Sequence, residues 1–481
     1  MTRISLTLSF TILTGTLLMA SSNPVPFANQ PLVPAGAKPG SRGFILKVNG
    51  TGFVAGASVQ WNGSPRPTKF VSSSQLQATI KAKDVAKPGT VAVLVLNPNP
   101  GGGSSNPVYF TIRDESQTVH LVHDKHGFEK GSLVVADFNG DGKLDVAISR
   151  NSCPQEDCAI AIDVFLGKGD GTFGPRIRTL LGGKGVLGDG NLVVADFNAD
   201  GNPDVSIEFA DSCGCEPAVG KILLGNGDGT FTPTAYGTYQ GYLTAVGDLN
   251  SDGLPDLITI WSTVYTNPAT VIYLANNDTS YTMGQFFDGM GMYQAALGDF
   301  NQDGTLDLAI NGCPSAVCDH YDTMVALGNG DGTFQTPIDY GYPGTEIQAI
   351  DVNGDGKLDL VTDSICTLLG NGDGTFVQAG CTTGGSSGYA SMVMGDFNGD
   401  GMPDVALLDQ PYGQVATVAV YPGRGNGTFG NAINYALPDL NGFYGGLRFG
   451  DFNGDGRLDF AVDGSWSFPI TSSAVLLQTS R

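Results

Sequence analysis

Asp137-Phe-Asn-Gly-Asp-Gly-Lys-Leu-Asp145 decides the reading of this chain, because the same nine-residue outline returns six more times, starting at Asp196, Asp248, Asp299, Asp351, Asp396 and Asp451. In every copy Asp stands at positions 1, 5 and 9, Asn at 3 and Gly at 6, with an apolar residue or Pro at 2 and 8. Alternate residues of a tight loop can all point inward, Gly supplies the bend, and position 7 offers its carbonyl; that is the oxygen-rich form a hard cation such as Ca²⁺ takes. Strand-like runs flank the loop, such as Leu133 to Phe138 before it and Leu144 to Ser149 after it. A polar turn without metal is the competing account, since Asn, Asp and Gly form such turns readily. A turn needs only one or two of these residues, whereas all four donor positions are kept in seven copies.

The formal net charge of −23 follows largely from these loops, whose three Asp each account for 21 of the 47 acidic residues. Seven Ca²⁺ (+14) would bring the charge to −9. The acidity is metal chemistry in this reading, and it argues against a nucleic-acid partner, which calls for basic patches. Seventy Gly and only 15% charged side chains point to many turns and little exposed helix.

At the N-terminus Arg3 precedes an apolar run, Ile4 to Ala20, and the small residues Ser21 and Ser22. That is a secretory signal in form, giving a signal peptide over 1–22 and a secreted or cell-surface protein with no membrane span in the mature chain. A membrane anchor is the alternative, disfavoured because Ser and Thr interrupt the run. Export makes disulfides the default for the eight cysteines, in four local groups: Cys153 with Cys158, Cys213 with Cys215, Cys313 with Cys318, and Cys366 with Cys381. Zinc is the rival, but no His flanks the groups in a ligand spacing. The midpoint between Cys366 and Cys381 falls in the turn Gly372-Asp-Gly-Thr375, so these two are expected to face each other across a hairpin.

Residues 23–113 carry no acid-loop repeat and read as short strands, Gly43 to Val48, Ser58 to Trp61, Leu76 to Ile80, Thr90 to Leu96 and Val108 to Ile112, in a small sandwich. Val48-Asn-Gly-Thr-Gly-Phe53, Val59-Gln-Trp-Asn-Gly63, the run Phe70 to Ala78 and Asn97 to Asn106 make this segment resemble the IPT/TIG family of immunoglobulin-like domains. The resemblance implies a spacer or binding module. Arg113 to Gln117 reads as a polar linker into a repeat region over 114–481.

Motif-to-motif spacings of 59, 52, 51, 52, 45 and 55 residues are those of a solenoid or propeller. Each repeat reads as strand, acid loop, strand, variable loop, a third strand and a hairpin into a fourth. The hairpin turn recurs as Leu166-GKGDGT-Phe173, Leu224-GNGDGT-Phe231, Leu327-GNGDGT-Phe334 and Leu369-GNGDGT-Phe376. Four antiparallel strands make one propeller blade, so the expected fold is all-β: a seven-bladed propeller behind an immunoglobulin-like sandwich. The seventh repeat lacks room for a fourth strand, and the spare run Thr118 to His123 is expected to supply it and close the ring. His120 and His123 lie there and His126 just after, but strand alternation sends 120 and 123 to opposite faces.

The repeats resemble the FG-GAP/VCBS family, also seen in integrin α-subunit propellers. The resemblance implies one calcium per loop. Its ligands would be Asp137, Asn139, Asp141 and Asp145; Asp196, Asn198, Asp200 and Asp204; Asp248, Asn250, Asp252 and Asp256; Asp299, Asn301, Asp303 and Asp307; Asp351, Asn353, Asp355 and Asp359; Asp396, Asn398, Asp400 and Asp404; and Asp451, Asn453, Asp455 and Asp459. The carbonyls of Lys143, Asn202, Leu254, Thr305, Lys357, Met402 and Arg457 would complete them.

Antiparallel order puts the acid loops and the GDGT turns at one end of the barrel and the loops of variable length at the other. Variable loops on a rigid scaffold are the usual recognition surface. Aromatic residues gather there, Tyr242, Trp261, Tyr265, Tyr293, Tyr342, Tyr389, Tyr412, Tyr444 and Trp466 among them, and are candidates for stacking on a sugar face or for packing between blades. Three functions stay open: a calcium-stabilised module that binds glycan or a surface protein, an enzyme acting on extracellular polysaccharide, and a structural module. No Ser-His-Asp set, HExxH motif or P-loop is present; an acid pair such as Glu208 with Asp211 keeps the enzyme open.

Overall fold

A computed structural model describes residues 23–478 apart from 30, 100–101, 114–120, 124–127, 130, 153–158, 182–191, 210–217, 264–265, 277, 288–291, 313–321, 383–390, 410–414, 442–444 and 464–471. The expected signal peptide therefore lies outside the described residues. The regular structure of the described residues is strand apart from one short 3₁₀ turn, Ala82–Val85, and no helix is long and apolar enough to cross a membrane.

The N-terminal sandwich has two sheets. One runs in the order Phe27–Ala28, Phe44–Thr51, Gln75–Ile80, Thr68–Ser72; the other runs Gly36–Ala37, Val108–Ile112, Gly89–Asn97, Ser58–Trp61, Ser64–Pro65. Alternation along each strand sends Leu46, Val48, Leu76, Ala78, Val93, Val95 and Phe110 into one core, closed by Trp61. Burying each large side chain stabilises by about 1.5–3 kcal/mol.

Seven sheets follow. Six have four strands in chain order, beginning with Leu133–Ala136, Asp145–Ser152, Ala159–Gly167 and Phe173–Leu180. In the seventh, Leu447–Gly450, Asp459–Val462 and Ser472–Gln478 are joined by Leu121–His123 and Phe128–Glu129, both antiparallel to Ser472–Gln478. One sheet is thus made of both ends of the repeat region. The innermost strand of sheet seven touches those of sheets one and six, so the sheets form a closed ring.

Two sets of contacts join neighbouring sheets. At the acid-loop end the GDGT turn reaches the loop of the sheet before it: Gly171 N donates to Phe452 O, Gly229 N to Phe138 O, Gly332 N to Leu249 O and Gly374 N to Phe300 O, at 3.0–3.1 Å. The turn's phenylalanine packs edge-on against position 2 of that loop, as in Phe138–Phe231 and Phe300–Phe376. At the other end a side chain of one sheet accepts the N–H of the next inner strand. Leu192 N donates to Ser132 Oγ, Ile347 N to Gln294 Oε1, Leu447 N to Ser391 Oγ and, across the closure, Leu133 N to Asp463 Oδ2, at 3.0–3.3 Å.

Candidate metal centre

In each acid loop the side chains first organise the loop's own backbone. In loop one Asp137 accepts from Asp141 N and Gly142 N at 3.1 and 2.7 Å, Asn139 Oδ1 from Asp141 N at 2.9 Å, and Asp141 Oδ1 from Lys143 N at 3.0 Å. The same set recurs in loop four around Asp299, Asn301 and Asp303. Position 6 is Gly with φ near +82° to +91° throughout, the left-handed region where a Cβ costs energy. Position 4 is also left-handed, with Gly in four loops but Ala199, Ser251 and Gln302 in the others at φ of 57–60°.

Position 9 does something different. Asp145 is fully buried; its Oδ2 accepts from Phe138 N at 2.9 Å and its Oδ1 from Gly167 N at 2.7 Å, so one carboxylate ties the loop entry and its own strand to the end of the third strand. Asp204, Asp256, Asp307, Asp359, Asp404 and Asp459 repeat this, bonding Gly225, Ala275, Gly328, Gly370, Gly423 and Gln478. Burial pushes the Asp145, Asp204, Asp307 and Asp359 carboxyls up to about 7 and those of Asp256, Asp404 and Asp459 to about 8, and the acids at positions 1 and 5 add to the rise. Burial likewise raises Asp196, Asp248 and Asp299, at position 1, to about 6.

Among the described residues no three Asp, Glu, His or Cys side chains close into a ready-made cage, because the carboxylates turn onto loop amides. The donor set nonetheless fits a hard divalent cation. Three carboxylates and an amide oxygen share nine residues, a carboxylate offers about four acceptor positions of which the two amides bound to Asp145 use two, and the acids at positions 1 and 5 lie near enough to the buried Asp145 to raise it further.

The sequence gives no sign of what covers this end of the ring. The sandwich is seated on it. Val25 N donates to Asp248 Oδ2 and Thr90 N to Asp451 Oδ2, both at 2.9 Å, and Thr111 Oγ1 lies 3.3 Å from Asp396 Oδ2. Arg113, read above as the start of a linker, is only 5% exposed and donates through Nη2 to Asp396 O at 2.8 Å and Oδ1 at 3.4 Å. The position-1 carboxylates of loops three, six and seven are thus partners of the sandwich. Phe27, Asn106 and Tyr109 floor a central channel of about 900 Å³, whose walls are the inner strands and include Gln294, Glu346 and Arg448.

The other candidate residues are dispersed. Cys366 and Cys381 are directly opposite across a hairpin and form a disulfide. Cys153, Cys158, Cys213, Cys215, Cys313 and Cys318 lie outside the described residues, as do Tyr265, Tyr389, Tyr412, Tyr444 and Trp466. Tyr293 lies in the strand Met292–Gly298. Trp261 is half-buried and donates Nε1 to Gln240 O at 2.9 Å, Tyr342 packs on the cluster of Phe300 and Phe376, and Tyr242 is 37% exposed. Glu208 is not a loop-face acid: it is 1% exposed, accepts from Leu243 N and Tyr239 Oη, and burial raises it to about 8.

The FG-GAP-like repeat family matches residues 137–207, 248–310, 363–407 and 396–462, and the IPT/TIG domain matches 31–112. No curated protein matches the chain. Among solved structures it is similar to a rhamnogalacturonan lyase from Bacillus licheniformis, at 14% identity and TM-score 0.38 over 95% of this chain and 91% of that one. It is also similar to auxiliary nutrient binding proteins from Bacteroides ovatus, at 10% and 0.35 over 95% and 98%, and from Bacteroides thetaiotaomicron, at 12% and 0.33 over 86% and 98%. The chain thus carries FG-GAP-like repeats behind an N-terminal IPT/TIG domain.

Proposed function

We propose that this is an exported, calcium-braced recognition module that binds a glycan or a surface protein at the end of the propeller away from the acid loops. The observation that carries the calcium reading is the buried position-9 carboxylate, repeated in seven sheets, which joins three strands while two further acids face it. A divalent cation there offsets the repulsion between acids and fastens the loop to the strands. The seated sandwich supports the choice of recognition end, since it occupies the acid-loop end through Asp248, Asp396 and Asp451. Ca²⁺ bound only to the native state stabilises by mass action.

Two measurements test this. Thermal melting with calcium and with EDTA, alongside elemental analysis, should give a higher Tm with calcium and several Ca²⁺ per chain. An unchanged melting curve with no calcium found would sink the metal reading. A glycan array run in both conditions should show calcium-dependent binding; turnover of a polysaccharide would replace the binding module with an enzyme, and silence would leave a structural role.

A further inference from the structure

Charge is divided unequally between the two parts of the chain. Residues 23–113 hold nine Lys and Arg against the single acid Asp84, a net +8, while residues 114–481 hold 14 against 46, a net −32. Arg113 is one of the nine and is used in seating the sandwich on the propeller. Asp84 is already engaged, by Arg66 at 3.3 Å and by Lys81 N at 2.9 Å.

Three of the nine, Lys47, Lys69 and Lys81, stand on or beside one sheet face. In Gln75–Ile80, Leu76, Ala78 and Ile80 point into the core and Gln75, Gln77 and Thr79 point out. Register sets Lys47, Gln77 and Lys69 side by side on three adjacent strands, with Ile45 beside Thr79 in the next row and Asn49 beside Gln75 in the row before. Lys47 and Lys69 are exposed, Ile45 is 51% exposed, and Lys81 continues the line of outward residues past Thr79. Two strand spacings put the Lys47 and Lys69 backbones about 9–10 Å apart. Of the groups that meet the propeller, Val25 N, Thr90 N, Thr111 and Arg113 lie on other strands, while Ser73, in the turn before Gln75, comes against Gly304 of loop four and so marks the propeller end of this face.

We infer that this face binds an anionic polysaccharide, one that carries carboxylates at intervals along a chain of hydroxyls. Ammonium, amide and ammonium in one row match acid, hydroxyl and acid along such a polymer, and the flanking Thr79 and Gln75 extend the hydrogen-bonding surface. A face of three adjacent strands offers an extended chain length to lie along. Duplex nucleic acid is the poorer fit, because its affinity grows with the number of phosphates neutralised and this face presents few cations beside a strongly acidic propeller. The site is separate from the acid loops and from the recognition end proposed above, so its failure leaves that reading intact.

Titration calorimetry of the full-length protein in calcium, with hyaluronan as the carboxylate polymer and dextran as the neutral one, tests the inference. Hyaluronan should bind, dextran should not, and salt at several tenths molar should abolish binding because the exposed charges are then screened. The double variant Lys47→Gln with Lys69→Gln should weaken binding about tenfold, as expected for two exposed charge contacts, whereas Lys87→Gln with Arg42→Gln should leave it unchanged. Near-native melting is expected of all four, since exposed substitutions rarely move stability by more than about 0.5 kcal/mol. Equal binding of dextran, insensitivity to the Lys47 and Lys69 substitutions, or preference for single-stranded DNA or for vesicles containing phosphatidylglycerol overturns it.

Discussion

Replacing Asp359 by Ala tests the position-9 brace in a loop, the fifth, away from the three whose carboxylates the sandwich holds. Asp359 is fully buried and accepts from Val352 N at 3.0 Å and from Gly370 N at 2.8 Å. Alanine leaves both N–H groups without a partner in a dry site, at about 1–3 kcal/mol each, so a loss of about 2–6 kcal/mol is expected. Asp359→Asn keeps one acceptor oxygen and turns an NH₂ toward the other amide, for a loss of about 1–3 kcal/mol. Both values refer to protein in EDTA. In calcium at tenfold over the dissociation constant, each site adds about 1.4 kcal/mol to the native state, so both variants should fall further behind by about one site. Urea unfolding followed by fluorescence and by circular dichroism gives the losses, with coincidence of the two curves as the check on two-state behaviour. Hydrogen exchange at Gly370 and Val352 gives the local effect. A loss under about 1 kcal/mol for the alanine variant, with both amides still protected, would refute the brace.

Ala199→Gly should stabilise the protein by up to about 1 kcal/mol in chemical denaturation, because Ala199 sits at φ 57° where a Cβ is strained; an equal loss would show that the loop tolerates the strain. Arg113→Ala should cost about 1–3 kcal/mol and raise hydrogen exchange in loop six around Asp396, to which Arg113 is bound; exchange confined to its wild-type rate would detach the residue from that loop. Glu208 is held protonated by burial, with its carboxyl raised from 4.5 to about 8. The folded state then binds a proton that the unfolded chain releases, so in saturating calcium stability falls as pH rises from 4.5 toward about 8. Glu208→Gln should flatten that limb by up to about 1.4 kcal/mol per pH unit, read from urea midpoints across the range. Reducing Cys366–Cys381, which closes a 15-residue separation, should lower stability by about 3 kcal/mol in matched denaturation curves.

The repeat architecture was legible because its determinants are local. Asp at 1 and 9 and Gly at 6 fix a turn whose ends must be antiparallel strands, and the spacing between copies leaves room for two more. The Cys366–Cys381 pairing followed from a turn placed midway between them. What stayed hidden depends on groups that sequence does not label. Val25 and Thr90 reach Asp248 and Asp451 through backbone N–H, which every residue but proline carries. Arg113 closes a strand and looks like any polar residue at a domain end, yet it is buried against a loop 283 residues later. The left-handed position 4 went unread because Ala199, Ser251 and Gln302 mask what Gly140 and Gly354 announce. Trp261 and Tyr342 illustrate the limit for aromatics: one row of rings serves a ligand or a seam equally well until the neighbours are known.

The seating of the sandwich gives the acid loops a second role that bears on how the first would operate. Carboxylates that hold a metal are commonly fixed by hydrogen bonds from behind, and those partners tune the site. In loops three and seven the N–H groups of Val25 and Thr90 stand in that position on Asp248 and Asp451. A cation that fixes these carboxylates also fixes the acceptors the sandwich rests on, and a seated sandwich in turn pre-orients the carboxylates for the cation; linkage requires the two effects to be equal. Loop six departs from this, since Arg113 brings a positive charge to Asp396 and would oppose a second cation there. With calcium bound as proposed, loop five, whose Asp351 accepts from the loop's own amides among the described residues, would brace its sheet alone, while loops three and seven would tie the ion to the placing of the N-terminal domain.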